Sequence, residues 1–420
     1  MHPLQYTDAV DLFAGPGGWD LAARWAGLDV VGIEFDAAAC ETRRAAGLAT
    51  IEGDVRAYGP ADFPRTAGLI ASPPCQTFSM AGKGAGRNAL DAVLSLMAAM
   101  ADREAVDLSQ LDDERTGLVL EPLRWILQAY DLGRAFEWIA LEQVPTVLPV
   151  WEAMADVLRD LGYFVATGNL QTEQYGVPQT RKRAILVARL DGEVQLPAPT
   201  HSKYYNRSPD KLDDGVLPWV SMAEALGWEC DGSVSLQRGR GMIERHGDRP
   251  SRDIHTPAPT IRAGSKGSGP NLIVRTSMGT PKVDGRNGTH ELDPATRPAH
   301  TVTTKTASWT VQPAAFGNMR QPHATIRPLE RPAGTLTASM DNGDFRWLHP
   351  DSDGRLHSVP SDGITVTEAA VLQSFPPDYP WQGSRTRQYE QVGNAIPPLL
   401  ARAVLAQVAL ATRTSIFSVA

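Results

Sequence analysis

Ala9-Val-Asp-Leu-Phe13 runs directly into Gly15-Pro-Gly-Gly18, and a helical pattern continues from Trp19 to Ala26. A strand that ends in a glycine turn at a helix start leaves few folds open. Glycine lets a backbone approach a ligand closely, and a helix N-terminus favours a carboxylate or phosphate. The pattern repeats: Val30-Val-Gly-Ile33 reads as a strand, with a helix following through about Ala46. Leu69 to Ala71, Trp138 to Leu141 and Ala184 to Ala188 read as further short strands. Such alternation predicts an α/β domain with a parallel, doubly wound sheet. Glu34 closes the second strand about 20 residues after the glycine turn, where an acid can accept the ribose hydroxyls of an adenosine cofactor. Asp54 falls where a third strand should end, and could take an adenine amino group. A generic nucleotide-binding fold, or simple tight turns, would account for these residues equally well.

Ser72-Pro-Pro-Cys-Gln-Thr-Phe-Ser79 narrows the choice. It follows a short strand, which places Cys75 at the carboxyl edge of the sheet, where ligands bind. Two prolines stiffen the approach to the thiol. A lone cysteine is usually buried filler, and Cys40 and Cys230 are read that way. The three cysteines lie far apart, too few for a disulfide framework and without metal-ligand spacing. This suits a reducing cytoplasm. No apolar run approaches the roughly 18 residues that span a bilayer, and Met1 to Ala9 does not read as a signal peptide.

The texture changes after about Pro197: Gly, Pro, Thr and Arg dominate and helical periodicity fades. Thr256-Pro-Ala-Pro-Thr-Ile-Arg262 recurs as Arg297-Pro-Ala-His-Thr-Val-Thr303 and as Arg331-Pro-Ala-Gly-Thr-Leu-Thr337, each after a Gly/Arg-rich stretch. The repeat predicts a turn-and-strand unit. The chain's net charge is −8, yet Leu236 to Leu348 carries 16 Lys and Arg against 9 Asp and Glu, a net of +7. A basic block inside an acidic chain suits phosphate contact, or a solvated basic face. Helical patterning returns at Thr367 to Ser374 and at Pro397 to Thr412.

Phe13-Ala-Gly-Pro-Gly17 together with Pro73-Pro-Cys-Gln76 resembles the DNA cytosine C5-methyltransferase family. Further blocks follow in the family's order: Leu141-Glu-Gln-Val144, Gln179-Thr-Arg-Lys-Arg183, Thr367 to Pro376, and Gln391-Val-Gly-Asn-Ala-Ile-Pro397. Two departures stand out. Ser72 replaces a glycine, and Gln143 replaces the asparagine beside the acid, thought to help hold the active-site loop. The stretch after Cys75, from Met80 to about Thr116, is longer than expected. Its Ala/Met-rich part, Ala89 to Met100, reads as an inserted helix and as a surface insertion without a role. Gly82, Gly84 and Gly86 would give the preceding loop hinges.

The resemblance implies a Rossmann-like S-adenosylmethionine-dependent methyltransferase domain (1–195 plus 385–420) and a smaller, β-rich target-recognition domain (196–384). Cys75 would attack C6 of a cytosine flipped out of duplex DNA. Glu142 would serve N3, Arg183 the O2 atom, and Arg181 the organisation of the pocket. Phe13, Gly15, Gly17, Glu34, Phe35, Asp54, Pro74 and Asn394 would hold the cofactor, with Asn394 contributed from the C-terminal helix. Gln76, Ser79, Arg238, Arg240 and Arg320 are candidate DNA contacts. No metal is required. The expected setting is a cytoplasmic, nucleoid-associated monomer: a restriction-modification methylase with a separate cognate endonuclease, or a stand-alone phage-type enzyme. The alternatives are an RNA cytosine methyltransferase of the same architecture, an enzyme with an altered donor, and a catalytically silent DNA-binding protein. The basic repeat region favours DNA over RNA. Asn394 offers no cation for a carboxylated donor, and intact Cys75, Glu142 and Arg183 argue against silence.

Overall fold

The structure is a computed structural model. It describes residues 7–74, 85–106, 114–205, 208, 211–227 and 365–409, with short backbone strands between 233 and 358. Side chains at 85–89, 114–115, 223 and in those strands fall outside the description.

Among the described residues, the first sheet contains β1 (Ala9–Leu12), β2 (Val30–Glu34), β3 (Ala49–Glu52), β4 (Gly68–Ala71), β5 (Trp138–Gln143), β6 (Phe164–Gln171) and β8 (Lys182–Arg189). Their order is β3-β2-β1-β4-β5-β8-β6. β3 to β5 run parallel, whereas β8 pairs antiparallel with both β5 and β6. The sheet is therefore mixed, not wholly parallel. β6 escapes sequence reading because Phe164–Gln171 carries Thr, Gly, Asn and Gln, and its residues are mostly half-buried. A short strand β7 (Gln179–Thr180) lies outside this sheet and pairs with β11 (Ala258–Pro259), inside the first repeat copy.

The period of two along each strand feeds two cores. One face gathers Val10, Leu12, Ile33, Leu69, Ile139, Leu141 and Leu186. It is covered by α3 (Ala85–Ala101), α4 (Glu121–Asp131) and α5 (Leu148–Asp160). The other gathers Ala9, Ile70, Trp138, Ala140, Ile185 and Val187. Here α1 (Gly18–Trp25) packs against α8 (Pro398–Val408). α2 (Ala37–Ala45) follows β2.

The inserted helix forms, but it is no surface ornament. Val93 (0% exposed) and Met97 (2%) sit in the first core, four residues apart on one helix face. Arg103, just beyond the helix, forks onto Asp131 at 2.8 and 2.7 Å. The family-independent cue was present in the spacing of Val93, Met97 and Met100. Gly86 lies inside this helix, while Gly82 and Gly84 lie outside the described residues.

A second sheet is antiparallel, in the order β10-β9-β12-β14-β13-β15-β16. Its strands are β9 (Ser233–Leu236), β10 (Arg252–Asp253), β12 (Leu272–Arg275), β13 (Ala315–Gly317), β14 (Arg327–Pro328), β15 (Arg346–Pro350) and β16 (Leu356–Ser358). Repeat copies 297–303 and 331–337 lie outside the described residues. The chain then returns through α6 (Val366–Leu372), α7 (Arg385–Asn394) and α8. Asn394 thus ends a separate helix before the C-terminal one, a correction to its expected place. The break follows from Pro397 and Pro398, which end one helix and start the next.

Candidate active site

β1 lies between β2 and β4, and the strand order reverses there. The crevice beyond the carboxyl ends of such strands is where open α/β sheets bind ligands. Four segments converge on this edge: the glycine turn after β1, Glu34 at the end of β2, Ser72-Pro73-Pro74 after β4, and Glu142-Gln143 at the end of β5.

The glycine turn is built from left-handed backbone. Phe13 (φ +59°), Gly15 (+53°) and Gly17 (+101°) all take positive φ. For Phe13 this is a sparsely populated conformation, of the kind that clusters at ligand clamps. Glu34 braces the turn. Its Oε2 accepts the Gly15 N–H at 2.7 Å, and its Oε1 accepts those of Phe35 (2.9 Å) and Asp36 (2.7 Å). Burial lifts the Glu34 carboxyl above its ordinary range, against the pull of those N–H groups. A carboxylate offers about four lone-pair sites, so one on Oε2 remains for a hydroxyl.

These residues suit an adenosine-bearing cofactor. A Cβ on Gly15 would meet nothing within 4 Å, which marks open space over the turn. Phe35 is 77% exposed, a large apolar ring mostly open to solvent. Asp54 is engaged: Arg56 grips both its oxygens at 2.6–3.0 Å and holds its carboxyl below the usual range. An adenine amino group would share Asp54 with that arginine.

Beneath the turn lies a cluster that sequence reading missed. Asp11 is fully buried beside Asp20 and Arg43, and its carboxyl, when protonated, shares a hydrogen bond with Asp20. Burial, then the neighbouring Asp20, pushes its carboxyl well above the ordinary value. Asp20 itself forks with Arg43 at 2.6 and 2.7 Å. Charged residues in amphipathic helices usually read as solvent-facing, so nothing in the local pattern marked Arg43 as buried.

Both departures from the family pattern have local explanations. Ser72 accepts the indole N–H of the buried Trp19 at 2.9 Å, tying the glycine-turn helix to the Pro-Pro-Cys segment. Gln143 donates from Nε2 to the Pro73 carbonyl and accepts the Val144 N–H on its Oε1. Its amide therefore bridges the β5 end to the approach to Cys75. Cys75 itself lies outside the described residues, as do Gln76, Ser79, Arg238, Arg240 and Arg320. Pro74 is half-buried.

Glu142 and Arg183 meet. Arg183 Nε lies 2.6 Å from Glu142 Oε1, with both side chains nearly buried. Arg181 points elsewhere: it donates to the carbonyls of Gly393 (2.9 Å) and Ala395 (3.1 Å), on either side of Asn394, which is exposed. Gln373 completes the joint. It accepts from Gln179 Nε2 at 2.7 Å and donates to the Val392 and Ala395 carbonyls. The sequence blocks around 179–183, 367–376 and 391–397 are thus one hydrogen-bonded unit.

The family description C-5 cytosine-specific DNA methylase matches residues 7–102 and 108–409, nearly the whole chain. The chain belongs to the C-5 cytosine-specific DNA methylases. Relatives of this methylase include the type II methyltransferase M1.HphI of Haemophilus parahaemolyticus, 24% identical over 413 residues, covering 94% of this chain and 84% of that one. Another is M.XorII of Xanthomonas oryzae, 26% identical over 417 residues, 96% and 85% of the two chains. Among solved structures, the Dnmt2 methyltransferase of S. pombe superposes with a TM-score of 0.52 at 15% identity, over 97% of this chain and 99% of that one. A putative DNA modification methyltransferase encoded within an E. coli prophage gives 0.50 at 17%, over 97% and 100%. Both show a shared fold. The methylase is a DNA cytosine-5-methyltransferase of the S-adenosylmethionine-dependent, Rossmann-like class. Among its described residues, no helix is long and apolar enough to cross a membrane.

Proposed function

We propose that this methylase modifies a cytosine flipped out of duplex DNA, through covalent attack by Cys75. The observation that carries the reading is the Glu142–Arg183 pair at the carboxyl edge of β5, bridged to the Cys75 approach by Gln143 and Pro73.

Cytosine C5 is a poor nucleophile. Addition of the Cys75 thiolate to C6 pushes electron density onto C5 and N3. Glu142 bonds N3 and relieves the charge that builds there. Arg183 holds Glu142 in place and would donate to the cytosine O2. Arg181 keeps the 393–395 segment against the pocket. The C5 proton leaves to a base or water after methyl transfer, and Cys75 then departs.

S-adenosylmethionine, when bound, supplies the electrophilic methyl group and leaves as S-adenosylhomocysteine. Phe13 and Phe35 would flank adenine, with Glu34 on the ribose and Asp54 on the amino group. Gly15 and Gly17 would admit the methionine end, and Pro74 and Asn394 would complete the site. DNA would lie along the basic 236–348 segment, with Gln76, Ser79, Arg238, Arg240 and Arg320 among its contacts. The working protein would be a cytoplasmic monomer at the nucleoid. The type II names of its relatives suggest a separate cognate endonuclease.

The test is trapping on duplex DNA in which cytosine is replaced by 5-fluorocytosine, whose C5 fluorine cannot leave. With S-adenosylmethionine present, a protein–DNA adduct stable on a denaturing gel is expected, and none from Cys75→Ala. Adducts formed equally by Cys75→Ala would refute the assigned nucleophile. Adducts on transfer RNA alone would favour the RNA reading.

A further inference from the structure

Three consecutive residues of the glycine turn are each tied to a side chain from a different part of the chain. The Ala14 carbonyl accepts from Arg43 Nη1 at 3.3 Å, the Gly15 N–H donates to Glu34, and the Pro16 carbonyl accepts from the Tyr379 hydroxyl. Glu34 already belongs to the proposed cofactor site. Arg43 and Tyr379 lie outside the methyltransferase sequence blocks.

Arg43 is wholly buried, and its guanidinium is fully committed. Besides Ala14 and the fork onto Asp20, it reaches the Ala49 carbonyl at 3.1 Å and the Thr50 hydroxyl at 3.2 Å. The turn is thereby fastened to β3 and α1 together. Glycines make the room. A Cβ on Gly32 would lie 2.0 Å from Arg43 Nη2, and one on Gly17 would lie 2.2 Å from Leu48 and 3.1 Å from the Tyr379 hydroxyl. Exchanging a buried ion pair for packed apolar residues is often neutral or stabilising. What Arg43 adds is direction, through a planar fork of five donors.

Tyr379 reaches the turn from the other end of the chain. Phe375 and Trp381 each pack against its ring, with centroids 4.9 Å away. Burial pushes its hydroxyl far above the ordinary phenol range, so it stays a donor at working pH.

We propose that Arg43 and Tyr379 are positioning residues of the cofactor site. Together they hold the Ala14 and Pro16 carbonyls so that Phe13, Gly15 and Gly17 keep the left-handed geometry that receives S-adenosylmethionine. This rests on the reading of the turn as the cofactor site. Neither residue would touch the cofactor. They act through backbone carbonyls, and their loss falls on cofactor affinity and leaves the chemical step alone.

The experiment is calorimetric titration of the full-length protein with S-adenosylhomocysteine, for wild type, Tyr379→Phe, Arg43→Lys and the control Arg44→Ala. Arg44 shares the helix but pairs at the surface with Glu52. Tyr379→Phe should weaken binding about five-fold and Arg43→Lys about ten-fold or more, with Arg44→Ala unchanged. The KM for S-adenosylmethionine should rise in step, while kcat at saturation stays within about two-fold. Ligand-free melting is measured in parallel. If Arg43→Lys does not fold, Tyr379→Phe alone decides. A folded wild type that does not bind S-adenosylhomocysteine would sink the cofactor reading and this inference with it. A wild type that binds, with Tyr379→Phe and Arg43→Lys binding equally well, would sink the inference alone, even if those variants melt earlier.

Discussion

Arg183 Nε sits 2.6 Å from Glu142 Oε1, across the antiparallel pairing of β5 with β8. Glu142 stands opposite Ile185, and Arg183 lies two residues along the same strand, so both side chains share one face of the sheet. The reversal of β8 is what makes this possible. It brings the start of that strand, with Arg183, to the edge where β5 ends.

Glu142→Gln keeps the shape and removes the carboxylate. It should lower kcat about a hundred- to ten-thousand-fold, the range for a lost general acid–base group, with DNA binding retained. Single-turnover methylation beside a gel-shift titration separates the two effects. Arg183→Ala leaves a carboxylate buried without its ion-pair partner, and should cost about 3–5 kcal/mol in urea unfolding.

The Gln143 amide is predicted to act on the nucleophile's approach. Gln143→Ala removes the bond to the Pro73 carbonyl and leaves the glycine turn untouched. It should lower kcat, with affinity for S-adenosylhomocysteine kept within about two-fold of wild type. An affinity loss larger than the kcat loss would show that the bridge serves the cofactor instead.

Met97 tests whether the inserted helix is part of the core. Met97→Ala should cost about 2–5 kcal/mol, as for other large-to-small core changes, against at most about 0.5 kcal/mol for a surface position. Urea denaturation followed by far-UV circular dichroism measures it.

Asp11 gives a pH signature. Its carboxyl is raised in the fold, by burial and then by Asp20. A group raised on folding favours the native state below its unfolded value, and that contribution is lost as pH climbs through the folded value. Asp11→Asn should therefore flatten the fall in stability from pH 4 upward, and be neutral or stabilising at pH 8. Melting midpoints across that range provide the check. A wild-type curve that rises with pH where the Asp11→Asn curve is flat would reverse the assignment.

The strand-end placement of several candidate site residues was legible in the sequence because it is local. Phe13 to Gly17, Glu34 and Pro73-Pro74 each sit at a strand end, where short motifs fix the backbone. β1, β2, β4, β5 and β8 announced themselves as apolar runs. The joints between motifs were not legible. Arg43 is a charged helix residue whose burial depends on Asp20 and on space left by Gly32 and Gly17. Gln373 and Tyr379 find Gln179 and Pro16 nearly 200 and more than 350 residues away. β6 was missed because it lacks a clean apolar alternation, and the direction of β8 because sequence pattern carries no strand polarity.

Nucleoside mass spectrometry tests cytosine C5 methylation by Cys75. Purified protein is incubated with mixed-sequence duplex DNA and S-adenosylmethionine, and the DNA is digested to nucleosides. New 5-methyldeoxycytidine is expected with wild type and none with Cys75→Ala. Absence of that product from wild type that binds S-adenosylhomocysteine would refute DNA cytosine C5 methylation, and its undiminished formation by Cys75→Ala would refute Cys75 as the nucleophile.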